Sequence, residues 1–144
     1  MGADLHATAT ARLQRDGQRY TTKRRALVEA LAGAEHPVTI PQLRERRPDL
    51  AQSSAYRNLA VLERAGVVHR IVTTDEFARY ELAEDLTEHH HHLICSRCGD
   101  VADFTVGAAL EADLDQALTD VARDSGFQVA HHRLDLVGTC AACA

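Results

Sequence analysis

Two Cys-x-x-Cys pairs constrain the fold of this chain more than any other feature of its sequence. Cys95 and Cys98 form the first pair, and Cys140 and Cys143 form the second pair after 41 intervening residues. Each pair fits on a tight turn, and four thiolates complete the tetrahedral coordination of one Zn²⁺ ion without leaving an open position. Four unrelated thiols or a redox couple are the alternatives, but two matched pairs are far more typical of a structural zinc site. The pattern therefore predicts that the end of the chain folds back beside residue 95.

The length and the charge distribution indicate two lobes with different tasks. A chain of 144 residues holds one domain or two small lobes. Residues 1–70 contain 12 Lys and Arg against 7 Asp and Glu, which gives +5, whereas residues 71–144 contain 4 against 14, which gives −10. The basic first half is typical of a surface that meets a polyanion. No apolar run approaches the ~20 residues that cross a bilayer, so we expect a soluble, cytoplasmic protein without membrane contact.

The first half has the pattern of a winged helix-turn-helix. Helical spacing, capping residues and the stops at glycine and proline predict helices over residues 3–16, 22–34, 39–47 and 53–66, the last with a serine cap at its start. Two short extended segments, 67–73 and 78–82, are joined by residues 74–76 and predict a β-hairpin. In this arrangement the helix before the hairpin enters the major groove of DNA.

The second half predicts a smaller α/β lobe. Strands are expected over residues 91–95, 101–105 and 127–137. A helix over residues 107–125 carries an apolar stripe formed by Leu110, Leu114, Leu118 and Val121. The predicted fold class is therefore α+β, with a winged-helix domain over 1–82, a polar hinge over 83–88 and a second domain over 89–144.

A run of four histidines, residues 89–92, is not explained by the four-thiolate site. Side chains of an extended segment alternate between two faces, so the odd-numbered pair points one way and the even-numbered pair the other. His132 is expected to point inward from its strand, and Glu111 flanks the apolar stripe of the helix. A solvated, weakly metal-binding run is the alternative. Beside a zinc site, these residues favour two further metal centres.

Several blocks of the sequence, taken in order, resemble the ferric uptake regulator family. These blocks are Ser-x-Tyr-Arg-x-Leu, Ala-Gly-Val-Val, His-His-His-His-Leu-Ile-Cys-x-x-Cys-Gly and a final Gly-x-Cys-x-x-Cys, and they span residues from about 13 to 143. The resemblance implies a homodimeric, metal-activated repressor with an N-terminal winged helix and a C-terminal α/β dimerisation lobe. A structural zinc held by four thiolates is common in the family.

The resemblance also implies which residues would hold further metals. It places Glu81 of the hairpin with His90 and His92 in a regulatory site at the hinge. His36 matches the remaining ligand only after a shift of one residue in spacing. An additional site in the dimerisation lobe would use His89, His91, Glu111 and His132.

Departures from the family pattern bear on which signal the protein senses. Zinc-sensing relatives carry an acidic ligand at the position of His69 and a cysteine near Ala83; here no cysteine is present, and His69 is a candidate substitute ligand. In the peroxide sensors aspartates hold the iron, whereas the nearest matches here are Glu81 and, second, Asp103. Histidine nitrogen and carboxylate oxygen suit Fe²⁺, Mn²⁺ or Zn²⁺. We expect Fe²⁺ as the sensed metal, with Zn²⁺ a close second and zinc-uptake or peroxide sensing as alternatives.

The DNA contacts are expected mainly from the helix before the hairpin. Tyr56 and Arg57 are predicted to read bases, although Tyr56 could instead be a half-buried core residue. The remaining candidates are Ser53, Ser54 and Asn58 on the same helix, and Arg19 and Arg24 for phosphate contacts. A dimer would present two such lobes to a palindromic operator in double-stranded DNA.

Two functions of other classes stay open on the sequence alone. A zinc hydrolase or deaminase needs three protein ligands, an open coordination position and a carboxylate base, but the chain has no H-x-E or H-E-x-x-H motif. A metal-buffering protein would use the histidine run and would leave the basic first half unexplained. The sequence therefore favours a non-enzymatic, metal-responsive repressor.

Overall fold

The computed structural model describes residues 2–73 and 77–144, so the expected turn over 74–76 lies outside the described residues. The elements follow one another as α1 (Gly2–Arg15), α2 (Thr22–Ala32), α3 (Ile40–Arg46), α4 (Gln52–Arg64), β1 (Val68–Ile71), β2 (Arg79–Leu82), a 3₁₀ turn (Glu84–Leu86), β3 (His91–Cys95), β4 (Val101–Phe104), α5 (Ala108–Ser125) and β5 (Asp135–Gly138). The α+β class is confirmed, with a winged helix first and a small α/β lobe second.

Side-chain caps mark where two of the four helices of the N-terminal lobe (α1 to β2) begin, namely α2 and α3. Thr39 caps α3 by a reciprocal capping box with Gln42, because each side chain bonds the other residue's backbone amide. The serine cap expected for α4 is wrong: α4 begins at Gln52 after Ala51, without a side-chain cap, and both serines lie inside its first turn. Gly66 follows α4 with φ +81°, a conformation that glycine adopts without strain.

The N-terminal lobe has a continuous apolar core beneath its helices. Its large, fully buried side chains include Leu13, Leu27, Val28, Leu43, Leu59, Leu62 and Val67. The wing, which we define as the β1–β2 hairpin, is antiparallel, and the carbonyl and amide of Val38 bond Tyr80 of β2 at 2.8 and 3.0 Å. The wing is therefore fixed to the segment that leads into α3.

A three-stranded sheet in the order β4-β3-β5 forms the C-terminal lobe (β3 to the end). β3 pairs antiparallel with β4 and parallel with β5. The long final strand expected over 127–137 is wrong, since β5 spans only Asp135–Gly138. The β3–β5 ladder starts at the pair His92–Asp135, and β3 itself begins at His91. Residues 127–133 therefore have no neighbouring strand of the sheet to pair with within the described part of the chain.

The apolar stripe of α5 is only partly covered within a single chain, since Leu114 and Leu118 are half-buried and its two ends are exposed. Leu110 is 59% exposed and Val121 is 62% exposed, and Ala122 is the one buried residue of this helix. Leu136 and Val137 of β5 are also exposed. Among the helices that the structure describes, none is long and apolar enough to cross a membrane.

Candidate metal centres and nucleic-acid interface

The four cysteines meet at one end of the C-terminal sheet. Because β3 and β5 run parallel with Cys95 opposite Gly138, each Cys-x-x-Cys turn leaves the sheet at the same edge. Their sulfur atoms all lie within 4.8 Å of one another. Backbone amides of Cys98 and Cys140 point at the Cys95 sulfur and lower the pKa of this thiol to about 6. Four converging sulfurs, one of them readily ionised, fit a closed tetrahedral zinc site.

A second group of metal-binding side chains lies between the two lobes, and we call it the interlobe cluster: Glu81, His90, His92 and Asp103. Glu81 comes from the wing, whereas the other three come from β3, β4 and the residue before β3. One carboxylate oxygen of Glu81 lies 3.0 Å from Nε2 of His90, and the other lies 3.0 Å from Nε2 of His92. Asp103 lies 3.8 and 3.7 Å from the same two nitrogens. Two nitrogens and two carboxylates thus converge on one point.

The electrostatics of the interlobe cluster favour an ionised carboxylate beside basic imidazoles. Burial works against the charge of Glu81, but hydrogen bonds from His69, His92 and His90 prevail and lower its pKa to about 2. Burial likewise opposes protonation of His90 and His92, but carboxylate and carbonyl partners prevail and raise both pKa values above 6.5. Burial raises the pKa of Asp103. A cation that binds this group would therefore displace the protons of the two histidines.

The two other histidines proposed for this site lie next to the cluster and outside its four converging donors. His69 of β1 donates to Glu81 at 3.4 Å and is about two-fifths exposed. His36 lines the same cavity as Glu81 and His90, and its Nδ1 lies 2.9 Å from the carbonyl oxygen of Pro37. Both residues are therefore placed to act on the cluster from outside.

A third group, which we call the α5 cluster, consists of His89, His91, Glu111 and His132. Glu111 lies at its centre, with its oxygens 2.8, 2.9 and 3.1 Å from the Nε2 atoms of the three histidines in that order. Hydrogen bonding from His91 lowers the pKa of Glu111. His132 reaches Glu111 from the segment before β5, so its inward position does not depend on the strand alternation that was expected.

The alternation predicted for the histidine run is present. The rings of His89 and His91 are neighbours, with centroids 4.7 Å apart, and those of His90 and His92 form a separate pair at 5.0 Å. The first pair belongs to the α5 cluster and the second pair to the interlobe cluster. Mixed nitrogen and oxygen donors of this kind suit Fe²⁺, Mn²⁺ and Zn²⁺.

Sequence reasoning gave too little weight to Asp103 and missed Asp135. Asp103 lies directly opposite His92 in the β3–β4 ladder, and the expected pairing of these strands could have located it. Asp135 of β5 lies on the other side of His92, with a buried carboxylate oxygen 3.6 Å from its Nδ1. This second contact depends on the parallel register of β5, for which the sequence carries no local signal.

The candidate DNA-reading surface is the exposed face of α4. Arg57 is exposed, and Tyr56 is 47% exposed and is not among the described residues that pack against the apolar core, which favours a surface role for both. Arg24 also has a role within the lobe, because its guanidinium donates to the Arg19 carbonyl at 2.7 Å and to Asn58 at 2.9 Å; its phosphate contact stays a prediction. Asn58 in turn donates to Ser54 at 3.1 Å, while Ser53 is exposed. Arg24 therefore joins α2 to the recognition helix.

Comparison with known proteins identifies similar sequences and folds. The model of the ferric uptake regulator family matches residues 15–137. The peroxide operon regulator of Bacillus subtilis (strain 168) is 31% identical over 148 residues, covering 100% of this chain and 97% of that protein. The structure of the Helicobacter pylori ferric uptake regulator, described as revealing three functional metal binding sites, superposes with a TM-score of 0.73 at 20% identity, covering 99% and 93% of the two chains. A zinc-bound manganese uptake regulator is 31% identical with a TM-score of 0.61, covering 94% and 98%.

Proposed function

The chain belongs to the ferric uptake regulator family, and from that membership we propose that it is a metal-responsive transcriptional repressor that binds palindromic operator DNA as a homodimer. Members of this family are transcriptional regulators. The observation that carries the proposal is the interlobe cluster, in which Glu81 of the wing meets His90, His92 and Asp103 of the C-terminal lobe. A divalent cation held there supplies a link between the DNA-binding lobe and the rest of the chain.

The switch follows from where the interlobe ligands are attached. Glu81 is part of β2, and the wing is tied by Val38 to the segment leading into α3. If Glu81 and the two histidines held one cation, the wing and α4 would keep a fixed angle to the C-terminal lobe. In a dimer whose two DNA-binding lobes are held at a fixed angle to the C-terminal lobes, the two recognition surfaces match the spacing of two DNA half-sites. DNA-binding lobes that pivot freely match this spacing in only a small fraction of molecules.

The dimer is supported by apolar surface that a single chain leaves exposed. The outer face of α5 presents Leu110 and Val121 to solvent, and β5 exposes Leu136 on one face of the sheet and Val137 on the other. Apolar residues at helical spacing on one helix face are normally covered. We propose that the second copy covers them, and that the cysteine site holds Zn²⁺ to keep the end of the chain on this surface.

The metal of the interlobe cluster is proposed to be Fe²⁺, with Zn²⁺ second and Mn²⁺ also compatible with the donors. Peroxide sensing is a specific second candidate. Asp103 joins Glu81 as a second carboxylate beside two histidines, and similar proteins include the peroxide operon regulator of Bacillus subtilis. A bound Fe²⁺ supplies the redox chemistry that such a sensor requires, whereas Zn²⁺ supplies none.

The test measures operator binding as a function of metal. Protein with zinc in its cysteine site selects an operator from a random DNA pool in the presence of Fe²⁺ without oxygen, and binding is then measured by fluorescence anisotropy with Fe²⁺, Mn²⁺, Zn²⁺ or no added metal. Tight binding only with added metal supports the repressor. Equal binding with and without metal would contradict it. Loss of binding after peroxide treatment of the iron-loaded but not the zinc-loaded form would select the peroxide sensor.

A further inference from the structure

The wing touches the C-terminal lobe at a second place, away from the interlobe cluster. Arg79 of β2 is only 4% exposed, and its guanidinium lies 3.5 Å from the carboxylate of Asp100. It also donates to the hydroxyl of Thr73 at 3.3 Å, and this hydroxyl donates to the carbonyl of Gly99 at 3.3 Å. Charge and hydrogen bonds therefore join both sides of the wing to residues 99–100.

Gly99 and Asp100, the C-terminal partners of this contact, belong to the turn that carries Cys95 and Cys98. The carbonyl oxygen of Asp100 accepts a hydrogen bond from the amide of Cys95 at 2.9 Å, and Gly99 donates to the Cys95 carbonyl at 3.0 Å. Gly99 has φ +79°, which a turn of this kind assigns to glycine. The wing thus rests on the turn that the first Cys-x-x-Cys pair shapes.

Arg79 and Glu81 share one face of β2. They are two residues apart in a strand, so their side chains point the same way and are attached about 7 Å apart. The intervening Tyr80 is buried with the apolar core of the N-terminal lobe. One face of a single strand therefore carries both contacts to the C-terminal lobe, Glu81 to the interlobe cluster and Arg79 to Asp100.

We propose that Arg79 and Asp100 are positioning residues for the interlobe metal: they form a metal-independent tether that raises the fraction of molecules in which β2 is aligned and Glu81 is in place when the cation arrives, while the metal-free lobes can still pivot. The inference rests on the proposed function to the extent that the interlobe cluster binds a metal. A single contact would let β2 pivot, whereas two contacts along it fix its direction. The apparent affinity of a site falls in proportion to the fraction of molecules in the competent arrangement. Weakening the tether therefore weakens metal binding without removing a ligand.

The test titrates Co²⁺ into the full-length protein with zinc in its cysteine site, following the visible absorption of the bound ion. All variants carry His132→Ala, which removes a ligand of the α5 cluster, and Co²⁺ does not displace Zn²⁺ because it binds the same ligands less tightly. Asp100→Asn is expected to weaken Co²⁺ binding about two- to fivefold, the range for a partly exposed ion pair. Asp100→Glu should restore the affinity, and Asp113→Asn, which removes an exposed charge of α5, should not change it.

Two further variants separate the tether from a direct effect of charge on the cation. Thr73→Val removes the hydroxyl from the contact with no change in charge, and the tether predicts weaker Co²⁺ binding here as well. In an Arg79→Gln background, Asp100→Asn should have no further effect, because the pair is already broken. Unchanged affinity in Asp100→Asn or in Thr73→Val overturns the tether, as does an undiminished effect of Asp100→Asn without Arg79. Zinc content and dimer mass should stay those of the parent.

The result of the Co²⁺ titration does not depend on the result of the operator-binding test. The Co²⁺ titration uses no DNA, so the tether stands or fails on metal affinity alone. If the parent protein binds Co²⁺ but shows no metal-dependent operator binding, the repressor proposal fails while the tether is still decided.

Discussion

The carboxylate of Glu81 lies 3.0 Å from the Nε2 atom of His92, and the contact joins the wing of one lobe to the sheet of the other. The two residues are 11 positions apart in the chain, and the connector between them contains the hinge predicted over residues 83–88. Their contact therefore sets the path of the connector as well as the angle between the lobes. A cation bound by both groups would hold this arrangement more firmly than the hydrogen bond does.

His89 and His90 are neighbours in the chain but belong to different clusters, so substituting each in turn compares the α5 cluster with the interlobe cluster. His90→Ala should weaken metal binding at the interlobe cluster by more than about a hundredfold, since loss of even an outer-shell partner costs about 10–100-fold. Metal-stimulated operator binding should then disappear. His89→Ala removes a ligand of the α5 cluster and should have a milder effect. Anisotropy titrations of both variants check this, and a His90→Ala protein with full metal dependence would disprove the switch.

The pKa shifts predict that metal affinity depends on pH near neutrality. His90 and His92 have pKa values raised above 6.5, so the ion pairs they form with Glu81 in the metal-free protein are present below pH 6.5 and are lost as the pH rises through the raised values. A cation must displace these protons, so its affinity falls as the pH drops, by up to about a hundredfold per pH unit when two protons are displaced.

Because both histidine pKa values are raised, the loss of metal affinity begins at a higher pH than ordinary histidines would give. Glu81, with a pKa of about 2, stays ionised throughout. Its stabilising contribution is lost only as the pH falls through about 2. Mn²⁺ titrations between pH 6 and 8 measure the effect, and Glu81→Gln should lower the affinity at every pH in that range. Affinity that is constant from pH 6 to 8 would show that these histidines are not ligands.

Removing one thiolate should separate folding from regulation. Cys95→Ser is expected to release the structural zinc and to destabilise the C-terminal lobe, because zinc binding in small domains contributes about 10–16 kcal/mol of apparent free energy. The dimer should dissociate. Zinc analysis and size-exclusion chromatography measure both results, with His90→Ala as the control that keeps its zinc. A zinc-loaded, dimeric Cys95→Ser protein would refute the structural role.

Arg57 and Arg24 should differ in their effect on DNA binding. Arg57 is exposed on α4, so Arg57→Ala should weaken operator binding by about 1–3 kcal/mol and affect random DNA much less, provided that it reads a base. Arg24 joins α2 to Asn58 of α4, so Arg24→Ala should also lower the free energy of unfolding. Parallel titrations with operator and random DNA, and thermal unfolding of both variants, check the difference. Equal losses on both DNAs for Arg57→Ala would reduce it to a phosphate contact.

The parts of the structure that the sequence predicted are those with local signals. The third helix was predicted to start at residue 39, and Thr39 caps α3 there; strand alternation also divides the histidine run correctly. The cysteine spacing also predicted that the chain returns to residue 95. Each of these depends on residues within a few positions or on a pattern that repeats.

The parts that the sequence did not predict depend on contacts between distant segments. The short β5 is set by where β3 begins, and the bond from Arg24 to Asn58 requires the packing of α2 on α4. The contact of Asp135 with His92 likewise follows from sheet register. Propensity and spacing carry no information on such pairs, which is why the ligands were easier to predict than the groups that position them.

The histidine run has a consequence for how the gene tolerates change. Pairing with the neighbouring strands fixes the positions of residues 91–95 in β3. Two of the four histidines precede β3, and the other two are its first residues. An in-frame deletion of any one of the four histidine codons yields the same shortened protein, in which Glu88 moves into position 89. Positions 90–92 stay histidine. Replication slippage within this repeat would therefore cost the α5 cluster one imidazole, replaced by a carboxylate, and would leave the even-numbered pair intact.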